Sequence, residues 1–379
     1  MKIAIIGANE FQSKLILKCK ENNIETHVFA WEDGAVGKEY CDYFYPISII
    51  EKEKILNKCK EIGIDGILSI GSDLAMLTVN YIAEELGLIG NTMESTILST
   101  DKFKMRKAFV ENNIVCPKFL LVEQENEKLN YEENEFPLIV KPTDRSGSRG
   151  ITKVEKKEDL ESAIKKSLDE SFNKKVIVEQ YIGGQEYSME FISDNGEHKF
   201  LAITEKFTTG SPNFIEKAHL QPGRIDNETL INAIELAKNG LDALKIKNGA
   251  SHIEIKVDNK EIFIIEIGAR MGGDFIGSDL VKLSTGVDFT QIVLNKSLNI
   301  SFELSKLYDK YSFVYFIFDR DDITRIEENY NILKPYIIEE NICIKNEYNK
   351  VTDSSTRNGY ILFQFDEYDE FKMIEEILL

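Results

Sequence analysis

Residues 1–97 alternate between apolar runs too short for helices and segments with helical periodicity. "KIAIIGA" (2–8) and "ETHVFAW" (25–31) flank "QSKLILKCKENN" (12–23), and "GIDGILSIGSD" (63–73) leads into "LAMLTVNYIAEELG" (74–87), closed by Gly87. Strands separated by one helix each pair in parallel through right-handed crossovers, so the spacing predicts an α/β domain of Rossmann-like topology over 1–97. After the first strand comes "GANEFQ", with one glycine where a dinucleotide-binding loop places three. The domain therefore reads as a scaffold, and an NAD-dependent dehydrogenase is disfavoured.

From residue 98 the pattern changes. Ser99, Thr100 and Asp101 are candidate N-caps of a helix over 98–113, on which Lys102 and Arg106 share a face. An acidic stretch (124–135) reads as a solvated turn or an insertion between strands. Next come "IVKPTDRSGSRGI" (139–151), a charged helix (156–171), strands at 175–182, 183–193 and 200–207, a helix at 226–246, and a hairpin running into a glycine-rich turn (251–275). This part is α+β with antiparallel strands. Residues 301–379 form a small α+β piece with strands at 311–318 and 359–365.

Charge and cysteine usage limit the partners. With 65 acidic against 46 basic residues the formal charge is −19, which repels nucleic acid and anionic membranes. No run is long and apolar enough for a membrane span or signal peptide. Cys19, Cys41, Cys59, Cys116 and Cys343 are odd in number and never form a C-x-x-C pair, as expected of free thiols in a reducing cytoplasm. A homodimer is the default assembly.

The chemistry-bearing residues fall in four groups. Glu254 and Glu266 lie 12 apart around "VDNKE"; a three-residue turn centred on Lys260 would set them opposite each other on one face. Two carboxylates so placed repel by roughly 4 kcal/mol at an effective dielectric near 20, so they call for a cation such as magnesium. The alternative is that one faces solvent and the pair is incidental. Lys141 ends an apolar strand just before a loop rich in Gly, Ser and Arg, either a flexible tether or a cover over phosphates. Arg270 precedes "MGGD", where a fixed guanidinium and close backbone approach could serve a phosphoryl group. In "VIVEQYIGGQEYSMEF" (176–191) a strand runs out into a connector that could offer its backbone to an adenine edge, with Glu186 beyond it for ribose or simply exposed.

The order of these residues closely resembles the ATP-grasp superfamily, in its carboxylate–amine ligase (amino-acid-ligase-like) branch. The resemblance covers about residues 1–300, with the tail similar to the small C-terminal piece of such ligases. It implies a Rossmann-like domain (1–97), an ATP-grasp domain in two subdomains (98–185 and 186–300) and a C-terminal piece (301–379) completing the module. It implies ATP as a cofactor, with Lys102 and Lys141 on its phosphates and Ser146, Gly147, Ser148, Arg149 and Gly150 as the mobile cover. Glu179, Gln180, Tyr181 and Ile182 would read the adenine and Glu186 the ribose. Glu254 and Glu266 would hold magnesium, with manganese the alternative ion, and Arg270 and Lys141 would be catalytic. One departure stands out: many members carry asparagine two residues after the second metal glutamate, where this chain has Gly268.

The reaction so implied joins a small-molecule carboxylate to an amine. ATP phosphorylates the carboxylate, and the amine then displaces phosphate to give an amide, with ADP and phosphate released. "TTGSPNFIEKAHLQPGR" (208–224), with Glu216 and His219, resembles the substrate-facing segment of these ligases; the histidine is otherwise structural. Arg270, Gly272 and Gly273 join it as candidate substrate contacts. In "GSD" (71–73), Asp73 is a further candidate, unless Ser72 or Asp73 merely caps the next helix. The competing readings are a bicarbonate-using carboxylase of the same superfamily and a nucleotide-binding regulatory module without turnover.

Overall fold

Strand β1 (Lys2–Ile6) lies at the centre of the N-terminal domain, followed by α1 (Glu10–Glu21), β2 (Glu25–Phe29), β3 (Tyr43–Tyr45), α2 (Lys52–Ile62), β4 (Gly66–Leu68) and α3 (Asp73–Leu86). The four strands pair in parallel in the order β3-β2-β1-β4. The chain is described in a computed structural model over residues 1–124, 129, 131–211, 214–342 and 350–379. Cys343, residues 125–128 and 130 of the acidic stretch, and Pro212 and Asn213 of the acceptor segment lie outside the described residues.

The alternation of β1 distributes its side chains to two cores. Ile3 and Ile5 pack with Leu15 and Ile16 of α1, whereas Ala4 and Ile6 pack with Ile55 and Leu56 of α2 and Val79 of α3. Burial on both faces explains the unbroken apolar run in the sequence. Strand β3, three residues on the sheet edge, is too short to show alternation and was not foreseen.

The helix expected over 98–113 is two helices, α4 (Met93–Thr100) and α5 (Lys102–Glu111). Of the three candidate caps, Asp101 caps α5: its carboxylate accepts from the Phe103 and Lys104 N–H groups. Ser99 and Thr100 end α4 instead. Lys102 thereby opens a helix, its backbone fixed by the cap.

Beyond α5, strands β5 (Phe119–Val122), β6 (Leu138–Pro142), β7 (Thr152–Val154) and, after α6 (Leu160–Glu170), β8 (Val176–Gln180) form an antiparallel sheet in the order β5-β8-β6-β7. Leu160, Ala163 and Ile164 of α6 seal one face against Leu138, Val140 and Val178.

Among the described residues, the largest sheet has eight strands. It contains β9 (Gln185–Asp194), β10 (Glu197–Thr208), β11 (Glu216–Gln221), β12 (Gly249–Asp258) and β13 (Glu261–Gly268), with α7 (Asn227–Ala243) between β11 and β12. After α8 (Val281–Thr285) and α9 (Phe289–Ser297), the chain adds β14 (Tyr311–Phe316), α10 (Arg320–Leu333), β15 (Ile337–Ile342), β16 (Gly359–Phe365) and α11 (Tyr368–Leu378). The order is β13-β12-β9-β10-β11-β14-β16-β15, so β14, β15 and β16 extend the sheet of β9–β13. Helices α10 and α11 cover its far end through Ile323, Ile326, Phe371 and Ile374.

Candidate active site

The hairpin β12–β13 brings Glu254 and Glu266 directly opposite each other, by a route that differs from the three-residue turn expected. The turn has two residues, Asn259 and Lys260, both with positive φ (48° and 70°), which is the twist a tight hairpin needs. That register runs through Ile255↔Ile264 and would set Glu254 opposite Ile265. A bulge between Glu254 and Ile255 leaves Ile265 over and restores Glu254↔Glu266. The Ile265 carbonyl accepts a hydrogen bond from Arg106 Nη2 (2.6 Å).

Each carboxylate of the pair meets a buried lysine. Lys102 Nζ lies 2.9 Å from Glu266 Oε1 and donates to the Arg145 carbonyl (2.6 Å). Burial alone would lower the Lys102 pKa, yet Glu266 holds it raised. Lys206 Nζ lies 2.7 Å from Glu254, 3.0 Å from Glu186 and 3.6 Å from Glu216. Burial again acts downward, and the three carboxylates raise the Lys206 pKa well above its ordinary value. Sequence reasoning missed Lys206; the available signal was a lysine in the apolar run "FLAITEKF".

Lys141 sits at the end of β6, where its ammonium reaches Glu179 Oε2 (2.7 Å) on β8. Arg106 Nε takes the other carboxylate oxygen (2.7 Å). Glu179 is only 3% exposed. Burial would raise its pKa, but Arg106 and Lys141 hold it below the usual carboxylate range. The Glu179 carboxylate is thus taken up by Arg106 and Lys141, so any adenine contact at this position falls to the backbone. Gln180, Tyr181 and Ile182 line the cleft beside it, with the Tyr181 ring between the ammonium groups of Lys153 (4.2 Å) and Lys256 (5.1 Å).

The glycine-rich loop is anchored at both ends. The Asp144 carboxylate accepts from the N–H groups of Phe172 (3.3 Å) and Asn173 (2.7 Å), and Ser167 Oγ donates to the Gly150 carbonyl. Gly150 has φ 71°, and a Cβ there would lie 2.9 Å from Pro142 Cγ. Only glycine fits. Ser146, Gly147, Ser148 and Arg149 lie between the anchors and border the cleft.

A wider cavity continues past Arg149, Lys206, Glu254 and Arg270 toward the N-terminal domain and residues 353–360. Glu216 on β11 accepts from Ser354 Oγ (2.7 Å), and Asp274 accepts from Arg357 Nη2 (2.5 Å). His219 is fully buried, and neither ring nitrogen has a hydrogen-bond partner; Nε2 is 3.8 Å from Asp274 Oδ2. Burial pushes its pKa down, so the imidazole is neutral despite Asp274. Gly273 borders this cavity.

Gly272 donates its N–H to Glu190 Oε2 (3.0 Å), behind the wall of the cavity. The other Glu190 oxygen pairs with His252 Nδ1. Burial would lower the His252 pKa, but Glu190 lifts it to about 9, so a charged imidazolium stands 3.5 Å from Glu254. His252 also went unread, although it precedes Glu254 by two residues and so shares its strand face.

Arg270, after β13, forms a two-point ion pair with Asp73 at the start of α3: Nε to Oδ1 is 2.9 Å and Nη2 to Oδ2 is 3.1 Å. Ser72 supplies the helix cap, accepting from the Ala75 N–H. The Asp73 carboxylate is therefore engaged by Arg270, not left open to a substrate as expected. Among the described residues no group of three or more His, Cys, Asp and Glu converges as a metal cage. The donor set for a cation is Glu254 and Glu266, which suits magnesium taking its remaining ligands from water and phosphate.

Lysines, opposed carboxylates and an arginine converge between two antiparallel sheets, a charge pattern suited to a polyanionic ligand. Comparison with known proteins gives the family. Residues 134–279 match the ATP-grasp domain model. Alanine–anticapsin ligase of Bacillus subtilis is 30% identical over 294 residues, covering 68% of this chain and 61% of that protein. The carbamoyl phosphate synthase large chain of Caldanaerobacter subterraneus subsp. tengcongensis is 25% identical over 260 residues, covering 68% of this chain and 24% of that one. The chain thus spans about 61% of the length of the anticapsin ligases it matches. The crystal structure of an L-amino acid ligase from Bacillus licheniformis superposes with a TM-score of 0.81 at 22% identity, covering 99% of this chain and 96% of that one. The phosphoribosylglycinamide synthetase of Anaerococcus prevotii gives 0.77 at 21%, covering 100% and 97%. The chain belongs to the ATP-grasp superfamily and has the fold of its ligases.

Proposed function

We propose that the protein is an ATP-dependent carboxylate–amine ligase that forms an amide through an acyl phosphate and releases ADP and phosphate. The observation that carries this reading is the register Glu254↔Glu266, with Lys102 and Lys206 on the two carboxylates and Lys141 in the same cleft. In this reading Lys102 and Lys141 neutralise the phosphates, and Ser146–Gly150 close over them. Residues 180–182 border the base and Glu186 the ribose. Glu254 and Glu266 hold magnesium, which when bound neutralises phosphate charge.

The domain division at 97, 185 and 300 belongs to the same proposal: the nucleotide lies between 98–185 and 186–300, and the substrates lie toward 1–97 and 301–379. Arg270 faces both cavities and would stabilise the transferring phosphoryl group. His219, neutral and with neither ring nitrogen hydrogen-bonded, would take the proton of the incoming amine. Without a side-chain nucleophile, the protein's contribution is positioning and charge neutralisation. The alanine–anticapsin and L-amino acid ligases among its relatives favour an amino acid as one substrate.

ADP release measured across a panel of amino acids and other carboxylates, each with an amine, tests this. Hydroxylamine should trap the acyl phosphate as a hydroxamate. ATP binding with no ADP from any pair would leave the regulatory reading, and activation by bicarbonate alone would favour a carboxylase.

A further inference from the structure

The space a side chain would need at Gly268 is already occupied. A Cβ built on Gly268 lies 3.0 Å from Asp73 Oδ1, 3.2 Å from Arg270 Cζ and 3.2 Å from Arg270 Nε. Those three atoms belong to one ion pair, and contacts that short require a neighbour to move. A side chain at 268 therefore presses directly on the Asp73–Arg270 pair, which must give by a few tenths of an ångström to admit it.

We infer that Asp73 is a positioning residue for Arg270, supplied by the N-terminal domain, and that Gly268 is the opening that lets it reach. Asp73 is rigidly held in the first turn of α3, behind the Ser72 cap at the C-terminal edge of the parallel sheet. It engages Arg270 through two parallel hydrogen bonds, a geometry that fixes the plane of a guanidinium as well as its place. Arg270 Nη1 is held by the Met271 carbonyl (3.3 Å). Three of the five N–H donors of a guanidinium are so occupied, and Arg270 borders both cavities. Burial would raise the Asp73 pKa, but Arg270, with Lys102 and His252 nearby, holds it below its ordinary value. The scaffold domain thus sets the arginine that the ATP-grasp sheet presents.

The inference rests on the ligase reading for its effect on turnover, but its geometry has a test that needs no turnover. Gly268→Ala is introduced into the wild type and into Asp73→Ala, and thermal unfolding is followed for all four proteins. That crowding predicts that Gly268→Ala lowers the midpoint in the wild type and lowers it less when the Asp73 carboxylate is gone. Additive shifts would overturn the inference. With an active carboxylate–amine pair in hand, Asp73→Ala should reduce kcat on the order of 100-fold, as loss of alignment does, with the KM for ATP nearly unchanged and part of the rate recovered in Asp73→Asn. An unchanged kcat in Asp73→Ala would overturn the positioning role even if the wild type proves a ligase. A wild type that makes no ADP counts against the ligase reading, while the unfolding cycle still decides the contact.

Discussion

Lys206 Nζ lies 2.7 Å from Glu254 Oε1, so the carboxylate proposed for magnesium shares its charge with a buried ammonium that also reaches Glu186 and Glu216. Removing one member of a buried charge cluster leaves the others uncompensated, at a cost of about 3–5 kcal/mol. Lys206→Met should lose stability on that scale in urea unfolding. Because the missing charge is positive, added magnesium should recover more stability in the variant than in the wild type. Equal magnesium responses in the two proteins would argue against a cation site at Glu254.

Glu179 is held between Arg106 and Lys141, all three nearly or fully buried. Glu179→Ala strands two cations at once, so it should cost at least about 3–5 kcal/mol. Lys141→Met leaves Arg106 on Glu179 and should be milder for stability while weakening ATP binding. Calorimetric titration of ATP alongside unfolding separates the two effects; equal losses of stability would contradict the assignment of Glu179 as an internal counter-ion.

The parts of the site that were legible in sequence are those fixed by local rules. Glu254 and Glu266 could be paired because strand alternation and a short turn leave few registers, and the bulge at Ile265 supplied the residue that the two-residue turn lacked. Lys141 could be placed because an apolar strand ends at it. Lys206, His252 and Arg106 were not legible, since their meaning depends on partners far along the chain: Glu254 for Lys206, Glu190 for His252, Glu179 for Arg106. The same holds for Asp73, whose carboxylate sits at a helix start, where a cap is the local explanation. In the fold, β3 was missed for want of length. The placement of β14–β16 in the main sheet rests on the contact of β11 with β14, and no local pattern encodes that pairing.

His219 gives the fold a pH dependence. Its folded pKa lies below the 6.5 of an unperturbed histidine, because burial opposes the charge more than Asp274 and Glu216 favour it. A depressed folded value means that the unfolded chain binds the proton first. The contribution of His219 is thus complete above pH 6.5 and is lost as pH falls toward and through the lower folded value. Chemical denaturation from pH 8 to pH 5 should show wild-type stability falling more steeply than that of His219→Gln. Parallel curves would mean that the imidazole is already solvated in the fold.

A mobile cover over 146–150, as the resemblance implies, should order when nucleotide binds, and the anchors of the loop narrow the segment that moves. Asp144 is fixed to Phe172 and Asn173, Arg145 lies over the Phe172 ring (4.2 Å) with its carbonyl on Lys102, and Gly150 is fixed to Ser167. Between them, among the described residues, Ser148 Oγ makes one long contact, to the Phe214 carbonyl (3.4 Å). Opening the loop therefore breaks little over 146–149, and backbone amides there should exchange quickly, because local opening is easy where few bonds hold. A Gly-Ser-Arg segment can close on phosphate with its N–H groups and the Arg149 guanidinium at small enthalpic cost. Hydrogen exchange with a non-hydrolysable ATP analogue and magnesium should show protection gained at 146–149, with 144, 145 and 150 already protected without it. Protection that is uniform across 143–150, or unchanged by the analogue, would mean that this segment is a fixed turn and that the phosphate cover lies elsewhere in the chain.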